Sequence, residues 1–283
     1  MVNDLPDIQG TKPKIKIPLR RVGVEDVMVP FLLESKGGVL GFHNLVANVT
    51  MLSNLESDIK GISMSRCIRT LKQYLGKPLK HKLIFEILKD LKNNLETQES
   101  YMKFEFAYPK MKQAPASMNS FPLYYKCFFH GQLQGSKFKF YQGVKVQYAS
   151  YCPCSSELCN DLRSKESNGF PHAQRSFADV VVQTIEPNYV WLEDIIDDVE
   201  NSIKTLPYPI IKREDEQRIA EIASQNPIFV EDAIRQISQT LGSNEKYFDW
   251  IVKCTHEESI HTSQAIAMNW KGVGGGFNGS YFL

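Results

Sequence analysis

The chain is short of charge imbalance, of long apolar runs and of cysteine. Its 33 Lys and Arg nearly cancel 32 Asp and Glu, leaving a formal charge of +1. That balance builds no field that would draw nucleic acid or an anionic membrane, so neither is expected as a partner. No stretch approaches the roughly 20 apolar residues that a spanning helix needs. Residues 1–17 are polar and proline-containing, without the apolar centre of a secretory leader, so the expected compartment is the cytoplasm. Six cysteines in 283 residues are too few for a disulfide scaffold. Nucleotide-binding glycine loops are missing as well: there is neither a Walker-type loop nor a GxGxxG turn after a strand.

What is present is alternation. Residues 19–34 and 39–52 read as extended runs around the turn Ser35-Lys36-Gly37-Gly38. Two helical patterns follow, at 65–75 and 81–95; in the second, Leu83, Ile84, Ile87, Leu88 and Leu91 form one apolar stripe. Period-two patterns return at 102–108, 122–133 and 137–151, with Gln134-Gly135-Ser136 as a hairpin signal between the last two. A β-rich run at 176–185 precedes helices at 192–204, 214–224 and 230–240, then extended runs at 245–255 and 261–270. The order is ββααββ, and it occurs twice. We therefore expect an α+β protein: an arm over 1–17, a first unit over 18–135, a second over 136–271, and a Gly-rich tail over 272–283 that reads as a flexible end. An antiparallel sheet with helices on one face leaves long edges, which oligomerisation into a barrel would close.

The chemistry concentrates at Ser150-Tyr151-Cys152-Pro153-Cys154-Ser155, followed by a polar insertion and then His172-Ala173-Gln174-Arg175-Ser176. Pro153 keeps Cys152 out of helical geometry, so its thiol stands at a strand end. A thiolate beside an imidazole makes either a metal site or a nucleophile with its base. Glu216 and His261 are further ligands of suitable type. Each residue also has a plain reading: buried cysteines act as small hydrophobes, and acidic residues such as Glu216 and Glu231 favour first helical turns. At Lys60-Gly61-Ile62-Ser63-Met64-Ser65-Arg66, glycine permits close backbone approach, Ser65 is a candidate cap, and Lys60 and Arg66 supply positive charge for an anion.

These segments, in this order, resemble the type IB GTP cyclohydrolases. The resemblance rests on Asp7-Ile8-Gln9, Val22-Gly23-Val24, Lys60 to Arg66, Cys152-Pro153-Cys154-Ser155, His172 to Ser176, Lys212-Arg213 with Asp215-Glu216, Asn226-Pro227 with Phe229 to Asp232, and Glu258-Ser259-Ile260-His261. Ser63 stands where that family commonly has His, and the segment between Cys154 and His172 is longer than usual and carries Cys159. The resemblance implies the tunnelling fold with two ββααββ units per chain, a homotetramer, and a divalent metal, zinc or manganese. It implies conversion of GTP and water to dihydroneopterin triphosphate and formate, at the entry to folate biosynthesis. The metal ligands would be Cys152, Glu216 and His261, with His172 beside them as ligand or proton carrier and Cys154 as the alternative thiolate. Glu231 would anchor the guanine edge, and Lys60 and Arg66 would hold the triphosphate. Two other readings stay open: a deazaguanine nitrile reductase of the same fold using a cysteine nucleophile and a nicotinamide, and a non-catalytic assembly protein with a structural zinc on Cys152, Cys154 and Cys159.

Overall fold

A computed structural model describes residues 8–36, 41–165, 170–188 and 190–282. Asp7, Gly37-Gly38 of the first expected turn and part of the polar insertion lie outside the described residues. The described chain is α+β. Its strands are β1 (Leu19–Glu34), β2 (Phe42–Leu55), β3 (Glu99–Gln113), β4 (Ser120–Gln134), β5 (Lys137–Tyr151), β6 (Ala173–Thr184), β7 (Asp249–Glu257) and β8 (Ala265–Trp270). Its helices are α1 (Met64–Lys72), α2 (His81–Leu95), α3 (Pro153–Ser164), α4 (Leu192–Ser202), α5 (Arg213–Gln225) and α6 (Val230–Ser243). The strands form one eight-stranded sheet in chain order, and the registered pairs are antiparallel. The chain divides into two compact units, Met1–Ala107 with Phe128–Tyr141, and Tyr108–Cys127 with Gln142–Leu283.

In the first unit, alternation decides which residues form the core. Ala47, Val49 and Met51 on β2 are fully buried, while the intervening residues are partly exposed. Helix α2 turns Ile84, Ile87, Leu88 and Leu91 inward, each 1% exposed or less. Burying such a side chain contributes about 1.5–3 kcal/mol, which is what holds a 15-residue helix on the sheet. Gly131 on β4 permits that approach, since a Cβ there would lie 2.5 Å from Ile84 Cγ2 and 2.8 Å from Leu88 Cδ1. Helix α1 starts at Met64 behind Ser63; Ser65 is therefore inside the first turn rather than the cap, and its hydroxyl lies 3.1 Å from that of Ser63.

The second unit repeats the strand order with two additions. Helix α3 lies between β5 and β6, and three helices rather than two precede β7. Register aligns Ser176 on β6 with His256 on β7, and His256 with Ala265 on β8. Three details correct the sequence reading. The polar segment after Cys152 is helical, with Pro153 at its first position. His261 sits in a turn four residues before β8, its N–H donating to the Glu258 carbonyl at 3.4 Å. The Gly-rich tail is docked: the buried Asp249 carboxylate accepts from the Gly272 N–H (2.8 Å) and the Phe277 N–H (2.9 Å), and Phe277 is 7% exposed.

Candidate active site

Strand β5 ends at Tyr151, and the next residue, Cys152, keeps extended geometry (φ −66°, ψ 120°) as the N-cap of α3. Two backbone hydrogen bonds then collect the candidates. The Cys152 N–H donates to the His172 carbonyl at 3.3 Å, and the Ile228 N–H donates to the Tyr151 carbonyl at 2.9 Å. The first joins the start of α3 to the approach to β6. The second pins the entry to α6, so that Glu231 in the first turn of that helix faces the same space. The result is a cavity of about 590 Å³ whose walls include Cys152, Cys154, His172, Glu231, His256, Glu258 and His261.

The cavity brings together Cys152, His172, Glu231 and His261, with Cys154 beside them; Glu216 is not in its wall. Glu216 lies exposed in the first turn of α5, next to a residue that has a different task. Asp215 is fully buried and accepts from the Ala116 and Ser117 N–H groups, the Ser117 hydroxyl and the Lys212 N–H at 2.5–2.8 Å. Burial alone would push its carboxyl up; the hydrogen bonds from Ser117, Lys212 and Ala116 outweigh that and hold it well below the usual carboxylate range. Asp215 therefore fastens the start of α5 to the segment joining β3 and β4. Lys60 and Arg66 belong to the other compact unit. There Arg66 borders a cavity of about 480 Å³ with Gln9, Gly61 and Arg69, donates to the Asn94 carbonyl at 3.0 Å and lies 3.8 Å from Glu96.

Three cavity residues, Gln174, His256 and Glu258, had no site role in the sequence reading. His172 Nδ1 lies 3.0 Å from Gln174 Oε1, and Gln174 Nε2 donates to Glu258 Oε1 at 3.1 Å. His256 is 1% exposed, with Nε2 at 2.9 Å from the Tyr148 hydroxyl and Nδ1 at 3.1 Å from the Ser150 hydroxyl, which in turn meets Ser176 at 2.7 Å. Burial lowers His256 to about 4, against the opposing pull of Glu231, so its imidazole is neutral near pH 7. Gln174 and Glu258 stood in segments that carry the family resemblance but had no role of their own there, and His256 showed only as a polar side chain inside a strand.

The donors are of the right type for a divalent cation. A thiol and two imidazoles on one cavity suit zinc, whose catalytic sites take three protein ligands and leave a position open. Among the described residues, no three His, Cys, Asp or Glu side chains are gathered closely enough to hold an ion. Cys159 is buried and is not in the cavity wall that Cys152 and Cys154 share.

The chain matches the family model described as type I GTP cyclohydrolase folE2 over residues 5–267. It is 34% identical over 263 residues to the GTP cyclohydrolase FolE2 of Geobacter sp. strain M21, covering 93% of each chain. With the FolE2 of Geotalea uraniireducens it shares 35% identity over 93% of this chain and 92% of the relative. With that of Cereibacter sphaeroides the figures are 31% identity, 95% of this chain and 76% of the relative. Among solved structures, the uricase of Arthrobacter globiformis superposes with a TM-score of 0.53 at 6% identity, over 91% of this chain and 95% of that one. A uricase from Bacillus fastidious gives 0.51 at 10% identity, over 88% and 92%. At such identities the likeness is one of fold.

Proposed function

The chain belongs to the type I GTP cyclohydrolase FolE2 family, and from that premise we propose that it converts GTP and water to dihydroneopterin triphosphate and formate in the cavity at the end of β5. The observation that carries the reading is the convergence of Cys152, His172, Glu231 and His261 on one space from four separate stretches of chain. A purine fits it in kind: the cavity holds a carboxylate at a helix start and three imidazoles, with apolar wall from Leu158, Ile228, Phe229 and Val230.

Glu231 would accept the N–H groups of the guanine edge. A base without those donors leaves the carboxylate unpaired, which is how a site rejects close analogues. His172 would take the proton released as water adds to C8 and return it to the ring nitrogen as the C8–N bond breaks; a second water then releases C8 as formate, and both nitrogens stay with the product. Zinc or manganese would be held by Cys152 and His261, with His172 beside them; among the described residues these side chains do not stand close enough together to grip an ion. When bound, such a cation acidifies water at neutral pH. Glu216 joins this set from the family pattern alone, and its exposed carboxylate is free to serve a site built with a second copy. The resemblance gives Lys60 and Arg66 to the triphosphate; neither lines this cavity. The terminal strands β1 and β8 each have a single partner strand among the described residues, which favours a homo-oligomer; a homotetramer is the state that the resemblance implies. No described helix is long and apolar enough to span a bilayer; the expected location is cytoplasmic.

The test is formate release and pterin fluorescence from GTP by metal-stripped protein, with zinc or manganese added back. Turnover restored by either ion supports the reading. Absence of formate under every metal condition, with the fold intact by circular dichroism, overturns it.

A further inference from the structure

We infer that Gln174 and Glu258 are positioning residues that fix His172 as its Nδ1–H tautomer and leave Nε2 as the nitrogen that can accept a proton or bind a cation. The use made of that nitrogen rests on the function proposed above; the tautomer itself does not.

One hydrogen-bonded chain runs from Glu258 through Gln174 to His172. Gln174 Nε2 lies 3.1 Å from Glu258 Oε1. A carboxylate only accepts, so the NH₂ end of the Gln174 amide must face Glu258. The amide oxygen then faces His172, at 3.0 Å from Nδ1. That oxygen also only accepts, so Nδ1 must carry the hydrogen. A neutral imidazole has a single N–H, and Nε2 is therefore left with a lone pair. Glu258 Oε2, at 3.9 Å from Nδ1, places negative charge on the same side and favours the same arrangement.

The chain is held firmly. Gln174 is 6% exposed, and a flipped amide would set its oxygen against the Glu258 carboxylate and its NH₂ against the Nδ1 hydrogen. Cross-strand register supplies the spacing. Arg175 on β6 pairs with Glu257 on β7, so Gln174 and Glu258 meet one step further along the same ladder. Among the described residues, Nε2 has no hydrogen-bond partner, and His172 lines the cavity. The opposite tautomer would present an N–H there, unable to bind a cation or accept a proton. Groups that orient a ligating histidine in this way typically change metal affinity by about 10–100-fold when removed.

The experiment is a long-range ¹H–¹⁵N correlation spectrum of full-length, metal-free protein labelled with ¹⁵N-histidine, above about pH 8 where imidazoles are neutral. The His172 signals are identified by their loss in His172→Gln. We expect the Nδ1–H pattern in the wild type and a shift toward the Nε2–H pattern in Gln174→Leu. The swapped double variant Gln174→Glu with Glu258→Gln should regain Nδ1–H, because the new carboxylate accepts from Nδ1 and the new amide donates to it. Zinc affinity, measured by chelator competition, should fall about 10–100-fold in Gln174→Leu and recover in the swap. An Nε2–H wild type, or a Gln174→Leu protein that keeps Nδ1–H, overturns the inference. Should Gln174→Leu fail to fold, the wild-type and swap spectra decide. Expected tautomers in a protein that never releases formate would remove the proposed reaction and leave this inference standing; GTP turnover with the wrong tautomer does the reverse.

Discussion

Glu231→Gln separates guanine recognition from metal binding, because Glu231 is in the cavity wall but outside the proposed donor set. The carboxylate would take two charge-assisted hydrogen bonds from the guanine edge, worth about 1.5–3 kcal/mol each. The amide accepts one of them as a weaker, neutral bond and turns an NH₂ group toward the other donor. The loss of one bond and the weakening of the other amount to about 3 kcal/mol, or roughly 150-fold in kcat/KM for GTP. Stability should change little. Glu231 is exposed in the first turn of α6, where a negative charge favours the helix by about 0.3–1 kcal/mol. The assay is formate release across a range of GTP concentrations, paired with metal content by atomic emission and a melting curve. Retained metal, a near-unchanged melting temperature and a fall of two orders of magnitude in kcat/KM are expected. Loss of metal with the mutation, or kcat/KM within threefold of wild type, refutes the assignment and the geometry behind it.

Cys152→Ala and His261→Ala should each abolish turnover and lower zinc content after purification, measured on the same preparations. Asp249→Ala removes a buried acceptor from the Trp250, Gly272 and Phe277 N–H groups; released Phe277 surface and an unpaired strand N–H together cost about 3 kcal/mol, read as a lower melting temperature and faster proteolysis of the tail. Asp215 has a carboxyl held below its unfolded value of about 3.9, so its stabilising contribution is full above that value and is lost as pH falls through the folded one. Denaturant titrations of wild type and Asp215→Asn should therefore differ near pH 7 and converge in strong acid; a constant gap across the range would contradict this.

Much of the fold was written in local pattern. Strands β1 and β5 and helix α2 fall on residues 19–34, 137–151 and 81–95, as their periodicities require, because each buries one regular face. Helix α3 did not announce itself in that way. Only Cys159 among its residues is buried, so it has no apolar stripe, and its evidence was a proline at the first helical position and little else. The docking of the tail was equally silent. A buried Asp249 at the start of β7 looks like a defect until the N–H groups of residues 272 and 277 are seen to converge on it.

The site shows the same division between what a motif encodes and what pairing creates. Cys152, His172, Glu231 and His261 were legible as residue types in ordered segments, since a thiol after a strand and an acid at a helix start carry their chemistry with them. Their convergence depends on two hydrogen bonds, Cys152 to His172 and Ile228 to Tyr151, between positions that no local pattern relates. The relay from Glu258 through Gln174 lies one level deeper still. It exists only because β6 and β7 pair in the register that sets Arg175 opposite Glu257; a slip of one residue would turn Gln174 or Glu258 to the other face of the sheet. A glutamine inside a strand therefore carries information about a histidine two residues before it, but only once the neighbouring strand is in place to orient the amide.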